Sequence, residues 1–158
     1  MHTPDTIDFS SVHSIHFVGI KGIAMAALAV WAKEKGMAVT GSDIDEVFPS
    51  DAVLAKAGIP VISGFSADHI SEAHKPDLVV FTGAHAGREN VEVVTAGKFG
   101  IGVLPHGIAL GMAMADKRQI SVAGSHGKTT TTAMIATVLS HAGCDPSFAV
   151  GCGEIQGL

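Results

Sequence analysis

The chain has 158 residues, 47% of them apolar and 5% aromatic, with 19 glycines and a formal net charge of −5. This is enough apolar sequence for one packed domain and part of a second without disulfides, and it excludes a disordered or fibrous chain. The acidic balance and the lack of any run of five like charges speak against nucleic acid or an anionic membrane as a partner, because both select basic patches.

The opening stretch MHTPDTIDFSSVHS lacks the basic-then-apolar pattern of a signal peptide, so a cytoplasmic location is expected. Ile15–Gly19 is an apolar run closed by glycine and predicts a buried strand. The Ala-rich stretch Ile23–Lys35 predicts a helix, stopped by Gly36. Met37–Gly41 reads as a second strand, Asp51–Ala57 as a short helix and Ile59–Ser63 as a third strand. Asp77–Thr82 (DLVVFT) is the clearest strand, followed by a helix at Glu89–Lys98 and a strand at Gly100–Leu104. Phe99–Ala115 is the longest uncharged stretch. Pro105, His106 and its glycines make it a strand, a loop and a short helix, not a membrane span.

Gln119–Ala123 (QISVA) predicts a further strand, leading to a helix from about Lys128 to Ala142. Alternating strands and helices with short loops predict an α/β fold, a doubly wound Rossmann-like parallel sheet. The charged stretch Met114–Arg118 marks a boundary. Residues 1–115 form one complete domain, and 116–158 the β-α-β start of a second, P-loop domain.

Two glycine loops carry the chemistry. In the first, Gly19-Ile20-Lys21-Gly22-Ile23-Ala24-Met25 joins a strand to a helix, where backbone amides can hold a diphosphate. Against the dinucleotide pattern GxGxxG, Lys21 and Ala24 replace two glycines. Lys21 would put a cation beside a phosphate, and Ala24 still allows close helix–strand packing. Asp43 closes the second strand 24 residues after Gly19, a position where an acid commonly binds a ribose hydroxyl. A tight turn with an Asp cap and no ligand explains the same residues equally well.

The second loop is Gly124-Ser125-His126-Gly127-Lys128-Thr129-Thr130. The strict pattern GxxxxGK[ST] needs glycine where Val122 stands, but the rest has the right parts. It offers amide donors around a phosphate, Lys128 for the β/γ-phosphates of ATP, and the Thr129 hydroxyl for Mg²⁺.

Together the stretches IHFVGIKGIAM, VTGSD, DLVVFTGA and GSHGKTTTTAMIATVLSHAG resemble the Mur ligase family over residues 14–151. These are ATP-dependent amide ligases that build the peptide of bacterial peptidoglycan, and their short ATP loop G-[ST]-x-G-K-[ST] accommodates Val122. The resemblance implies ATP and Mg²⁺ as cofactors and UDP-N-acetylmuramate as substrate. ATP phosphorylates the lactyl carboxylate of that sugar, and an amine displaces the phosphate. The amine implied is L-alanine, with a tripeptide in the recycling branch as the alternative.

The resemblance also implies residue roles. Gly19–Met25 would hold the diphosphate and Ser42 and Asp43 would lie near the nucleoside. Thr82, Gly83, Ala84 and His85 would form the loop after the fourth strand, with Asn90 and His106 as weaker carry-overs. Residues 124–130 would bind ATP, with Lys128, Thr129 and His126 at the chemistry. Family members have three domains. The Mg²⁺-binding acids, adenine pocket and closing domain are expected beyond Leu158, so the 158 residues alone are expected to bind the UDP-sugar without turning over ATP.

Other readings use less of the chain. An NAD-binding Rossmann module explains Asp43 but leaves GSHGKTTTT idle. A P-loop kinase needs an acid ending a later strand, and only Asp145 and Glu154 are available. A non-catalytic scaffold leaves the GKT motif without a purpose. The nine histidines (His2, His13, His16, His69, His74, His85, His106, His126, His141) show no metal-ligand spacing. Cys144 and Cys152 read as buried thiols, and Met25, Met112, Met114 and Met134 as core fillers. Trp31 is expected to pack on the sheet or a neighbour. An exposed strand edge in the second segment invites homodimerisation.

Overall fold

A computed structural model describes residues 9–151; His2, Cys152 and Glu154 lie outside them. The elements are β1 (Ser14–Val18), α1 (Ile23–Glu34), β2 (Ala38–Asp43), α2 (Asp51–Lys56), β3 (Val61–Ser63), β4 (Leu78–Phe81), α3 (Val91–Lys98), β5 (Gly102–Pro105), α4 (His106–Ala113) and α5 (Lys128–His141). The five strands form one parallel sheet in the order β3-β2-β1-β4-β5. Ile15 pairs with Val39 on one side and Leu78 on the other.

Side-chain alternation builds two apolar layers from the same strands. Ile15, Phe17, Leu78 and Val80 pack with α1 and with Ala109 and Ala113 of α4. Val18, Val79 and Phe81 face the other way, onto Val93 and Ala96 of α3 and Ile70. Burying a side chain such as Phe17, which is 0% exposed, stabilises by about 2–3 kcal/mol. Met25 lies in this core, and Trp31 packs edge-on against Phe9 with ring centroids 5.8 Å apart.

Local chemistry sets the helix ends. Gly36 adopts φ +85°, which brings the Met37 amide back to the Ala32 carbonyl at 3.1 Å and ends α1. The Asn90 side chain caps α3 by accepting from the Glu92 amide at 2.9 Å.

The chain past α4 departs from expectation. Gln119–Ala123 forms no strand and pairs with none among the described residues, and no strand follows α5 there. An apolar run becomes a strand only when a neighbour takes its amides and carbonyls, and here Ile120 is 59% exposed. Helix α5 forms, because a helix satisfies its own backbone, yet it buries only Ala136. Met134 is therefore 63% exposed and no core filler, and Cys144 is an exposed free thiol, not a buried one. No described helix is long and apolar enough to cross a membrane.

Candidate functional site

Strands β1 and β4 are neighbours, but β1 leads to α1 on one face and β4 leads to α3 on the other. That divergence opens a crevice at their carboxyl ends, where sheets of this type take ligands. The predicted first loop and the Thr82–His85 loop both lie there.

In the first loop the Ser42 carbonyl accepts from two amides, Gly19 at 2.9 Å and Ile20 at 3.1 Å. The Lys21 amide donates to Asp43 Oδ2 at 2.7 Å, and Gly22 donates to Gly19 at 3.3 Å. The next three amides, those of Ile23, Ala24 and Met25, have no acceptor among the described residues. They form the first turn of α1, so unpaired N–H groups and the positive helix end coincide there as an anion seat.

The Lys21 ammonium, expected beside a phosphate, is engaged elsewhere. It donates to the Glu46 carbonyl at 2.7 Å, pairs with Asp51 at 3.5 Å and lies 5.7 Å from the Phe48 ring centroid. Ser50 Oγ donates to the Lys21 carbonyl. The 46–51 segment is thus folded onto the loop, beside a cleft of about 310 Å³ lined by Lys21, Asp45, Asp51, Leu54, Val61 and Ser63.

Asp43 is 1% exposed, and both its oxygens are taken. Oδ2 accepts from Lys21, and Oδ1 accepts from the Ile44 amide at 2.8 Å and stands 3.4 Å from His85 Nε2. It holds the two loops of the crevice together. Ser42 is buried likewise, with its hydroxyl turned into the protein.

The Thr82–His85 loop continues from β4, the Thr82 amide donating to Val18 at 3.1 Å. Ala84 donates to Thr82 Oγ1 at 3.4 Å, and Gly83 lies in open space. His85 and Ala86 both have positive φ, 53° and 66°. Each such residue costs about 1–2 kcal/mol. The surroundings impose it: Asn90 Nδ2 donates to the His85 carbonyl at 3.0 Å, and the His85 ring lies 5.2 Å from Phe65. His106 starts α4 at the carboxyl end of β5, with Nε2 buried and without a partner among the described residues. Burial lowers its pKa from the ordinary value of 6.5.

Sequence reasoning missed Glu92. Its carboxylate is fully buried and accepts from Ser42 Oγ at 2.5 Å and from the Ser66 amide at 3.2 Å. His16 Nε2 lies 3.3 Å away and His69 Nδ1 2.5 Å away. Burial alone pushes the Glu92 pKa up, but the bonds from His16, Ser42 and His69 outweigh it and hold the group below the usual carboxylate range. The available signal was the polar His16 inside an otherwise apolar strand, which requires a buried partner.

The second loop leads directly into α5. Gly127 takes φ +78° ahead of α5, and the amides of Lys128, Thr129 and Thr130 have no acceptor among the described residues. The Lys128 ammonium lies over the loop and donates to the carbonyls of Gly124 at 2.5 Å and Ser125 at 3.4 Å. Ser125, His126, Lys128, Thr129 and Thr130 are exposed. These donors suit a polyphosphate. For a metal ion the loop offers the Thr129 hydroxyl, and no group of three or more His, Cys, Asp or Glu that could hold a metal occurs among the described residues.

A 3-2-1-4-5 parallel sheet with an anion seat at its switch point defines a Rossmann-like α/β domain. Residues 14–118 match the model of the Mur ligase family, catalytic domain, and the chain belongs to that family. A UDP-N-acetylmuramate–L-alanine ligase of Desulfitobacterium hafniense is 49% identical over 87% of this chain and 30% of its own length. The enzyme of the same description from Treponema pallidum is 42% identical over 87% and 28%. The crystal structure of the UDP-N-acetylmuramate–alanine ligase of Thermotoga maritima matches with a TM-score of 0.73 and 39% identity over 82% of this chain and 29% of that one. The UDP-N-acetylmuramate:L-alanyl-γ-D-glutamyl-meso-diaminopimelate ligase of Neisseria meningitidis gives 0.82 and 34% over 94% and 45%. The chain thus spans about 30% of the length of the curated relatives it matches.

Proposed function

We propose that this chain supplies the UDP-N-acetylmuramate seat and the phosphate loop of an ATP-dependent ligase that joins L-alanine to the sugar's lactyl carboxylate. Residues 1–115 form the UDP-sugar domain, and 116–158 begin the ATP domain. The observation that carries the reading is the row of unpaired amides at Ile23, Ala24 and Met25. They lie in a crevice whose other wall is the Thr82–His85 loop.

In this reading the α1 amides hold the diphosphate, and the cleft beside Lys21 takes the nucleoside end. The Lys128 ammonium leaves the Gly124 and Ser125 carbonyls for the phosphates of ATP, while the amides of residues 128–130 hold those phosphates in place. Thr129 contributes its hydroxyl to Mg²⁺, and His126 lies where it can touch phosphate or substrate. ATP, when bound, would supply the phosphoryl group that turns the lactyl carboxylate into an acyl phosphate with release of ADP, and the amine would then displace inorganic phosphate to form the amide.

The test is a calorimetric titration with UDP-N-acetylmuramate, with NADH as the comparison. Saturable binding of the UDP-sugar without NADH binding is the expected result; the reverse returns the crevice to a dinucleotide role. A second reading draws on the Neisseria relative, whose TM-score is the higher of the two. It keeps the UDP-sugar and replaces L-alanine by a tripeptide, so an amide-forming assay of the chain extended to the length of its relatives, offered both amines, separates the two.

A further inference from the structure

Two chains of hydrogen bonds lead from Glu92 to the two loops of the crevice, one from its carboxylate and one from its backbone amide. On one side, Glu92 Oε2 accepts from Ser42 Oγ, and the carbonyl of the same Ser42 pins the amides of Gly19 and Ile20 at 2.9 and 3.1 Å. On the other, the Glu92 amide donates to Asn90 Oδ1 at 2.9 Å, and Asn90 Nδ2 donates to the His85 carbonyl at 3.0 Å. The remaining carboxylate contacts, His16 from β1 and His69 and Ser66 from the segment before β4, fix the carboxylate in place.

From this connectivity we infer that Glu92 is a positioning residue of the crevice. Through Ser42 its carboxylate sets the height of the Gly19–Ile20 turn, while its backbone amide holds the Asn90 side chain that bonds the His85 carbonyl. The inference rests on the proposed function for its ligand, because a diphosphate seated on the α1 amides needs that turn held at one height. An apolar residue at position 92 would keep the Asn90 bond through its own amide but would lose the carboxylate that holds Ser42. A buried carboxylate among two imidazoles and a hydroxyl is costly to desolvate, and a role in specifying position accounts for keeping it there.

The experiment compares the unaltered chain with Ser42→Ala, Glu92→Gln and the double variant. UDP, which carries the diphosphate, is the calorimetric probe, and native-state amide exchange is followed by NMR at pH 7. Each single variant should weaken UDP binding about tenfold, the worth of one charge-assisted bond. The double variant should bind no more weakly than the weaker single variant, because both changes act on the same Ser42–Glu92 bond, one removing its donor and the other the charge on its acceptor. Exchange at Gly19 and Ile20 should quicken about tenfold while Val79 and Val80 in β4 keep their protection.

Exchange that quickens equally along β1, β2 and β4 marks a residue that only stabilises the fold, and overturns the inference. So does unchanged UDP affinity with Gly19 and Ile20 still protected, or simple additivity in the double variant. If Glu92→Gln fails to fold, Ser42→Ala, which removes one hydroxyl, still decides the matter by the same readings. If the unaltered chain does not bind UDP, the proposed function fails, and selective against uniform exchange still decides the role of Glu92.

Discussion

Gly19 lies against Thr82 so closely that a β-carbon on Gly19 would overlap the Thr82 Cγ2 methyl and stand 3.4 Å from His85 Cδ2. The first loop and the loop after β4 therefore touch through bare backbone, and Gly19 also holds φ +81°. Gly19→Ala should destabilise the domain by about 2–4 kcal/mol, combining left-handed strain with overpacking. Gly83, exposed with nothing within 4 Å of a built β-carbon, is the control: Gly83→Ala should stay within about 0.5 kcal/mol. Urea denaturation of the two variants measures the difference.

Asp43 offers a second test of the crevice. Its removal by Asp43→Ala leaves the amides of Lys21 and Ile44 without their acceptor, at a cost of about 2–3 kcal/mol. Asp43→Asn keeps one acceptor oxygen and should cost about half as much. If the carboxylate were instead free for a ribose hydroxyl, Asp43→Ala would leave stability unchanged and abolish only binding. Thermal unfolding and UDP titration on the same samples distinguish these outcomes.

What could be read from the sequence and what could not divide along physical lines. Strands such as Leu78–Phe81 and helices stopped by glycine, as at Gly36, announce themselves because their determinants are local. The crevice loops were legible because glycine spacing reports backbone geometry directly. The role of Glu92 was not, because its partners His16, Ser42 and His69 lie 23 to 76 residues away and meet only once the sheet has formed. The strand expected at Gln119–Ala123 failed for the complementary reason. Its apolar pattern is local, but pairing needs a neighbour that the described residues do not provide.

His106 makes stability depend on pH. Burial lowers its pKa below the ordinary 6.5, so as pH falls through and below that value the unfolded chain binds a proton that the folded chain resists. Stability is therefore retained above 6.5 and falls as the solution is acidified. His106→Leu removes the titrating group and the unpartnered Nε2. The difference in unfolding free energy between pH 8 and pH 5 should be smaller for this variant than for the unaltered chain. An identical difference would place the His106 ring in water instead.

Lys128 separates folding from ligand binding. Its side chain is exposed and, among the described residues, bonds only to the Gly124 and Ser125 carbonyls, and α5 buries only Ala136. Lys128→Ala should therefore leave the urea midpoint unchanged, because no apolar area and no buried partner is lost. Affinity for ATP·Mg²⁺ should fall at least about tenfold with the loss of a cation from the phosphate loop. UDP affinity should be unaltered, since the proposed function gives the diphosphate to the α1 amides and the phosphates of ATP to the 124–130 loop. A parallel fall in UDP affinity would mean instead that the second loop reaches the crevice and the two ligands share one charge environment.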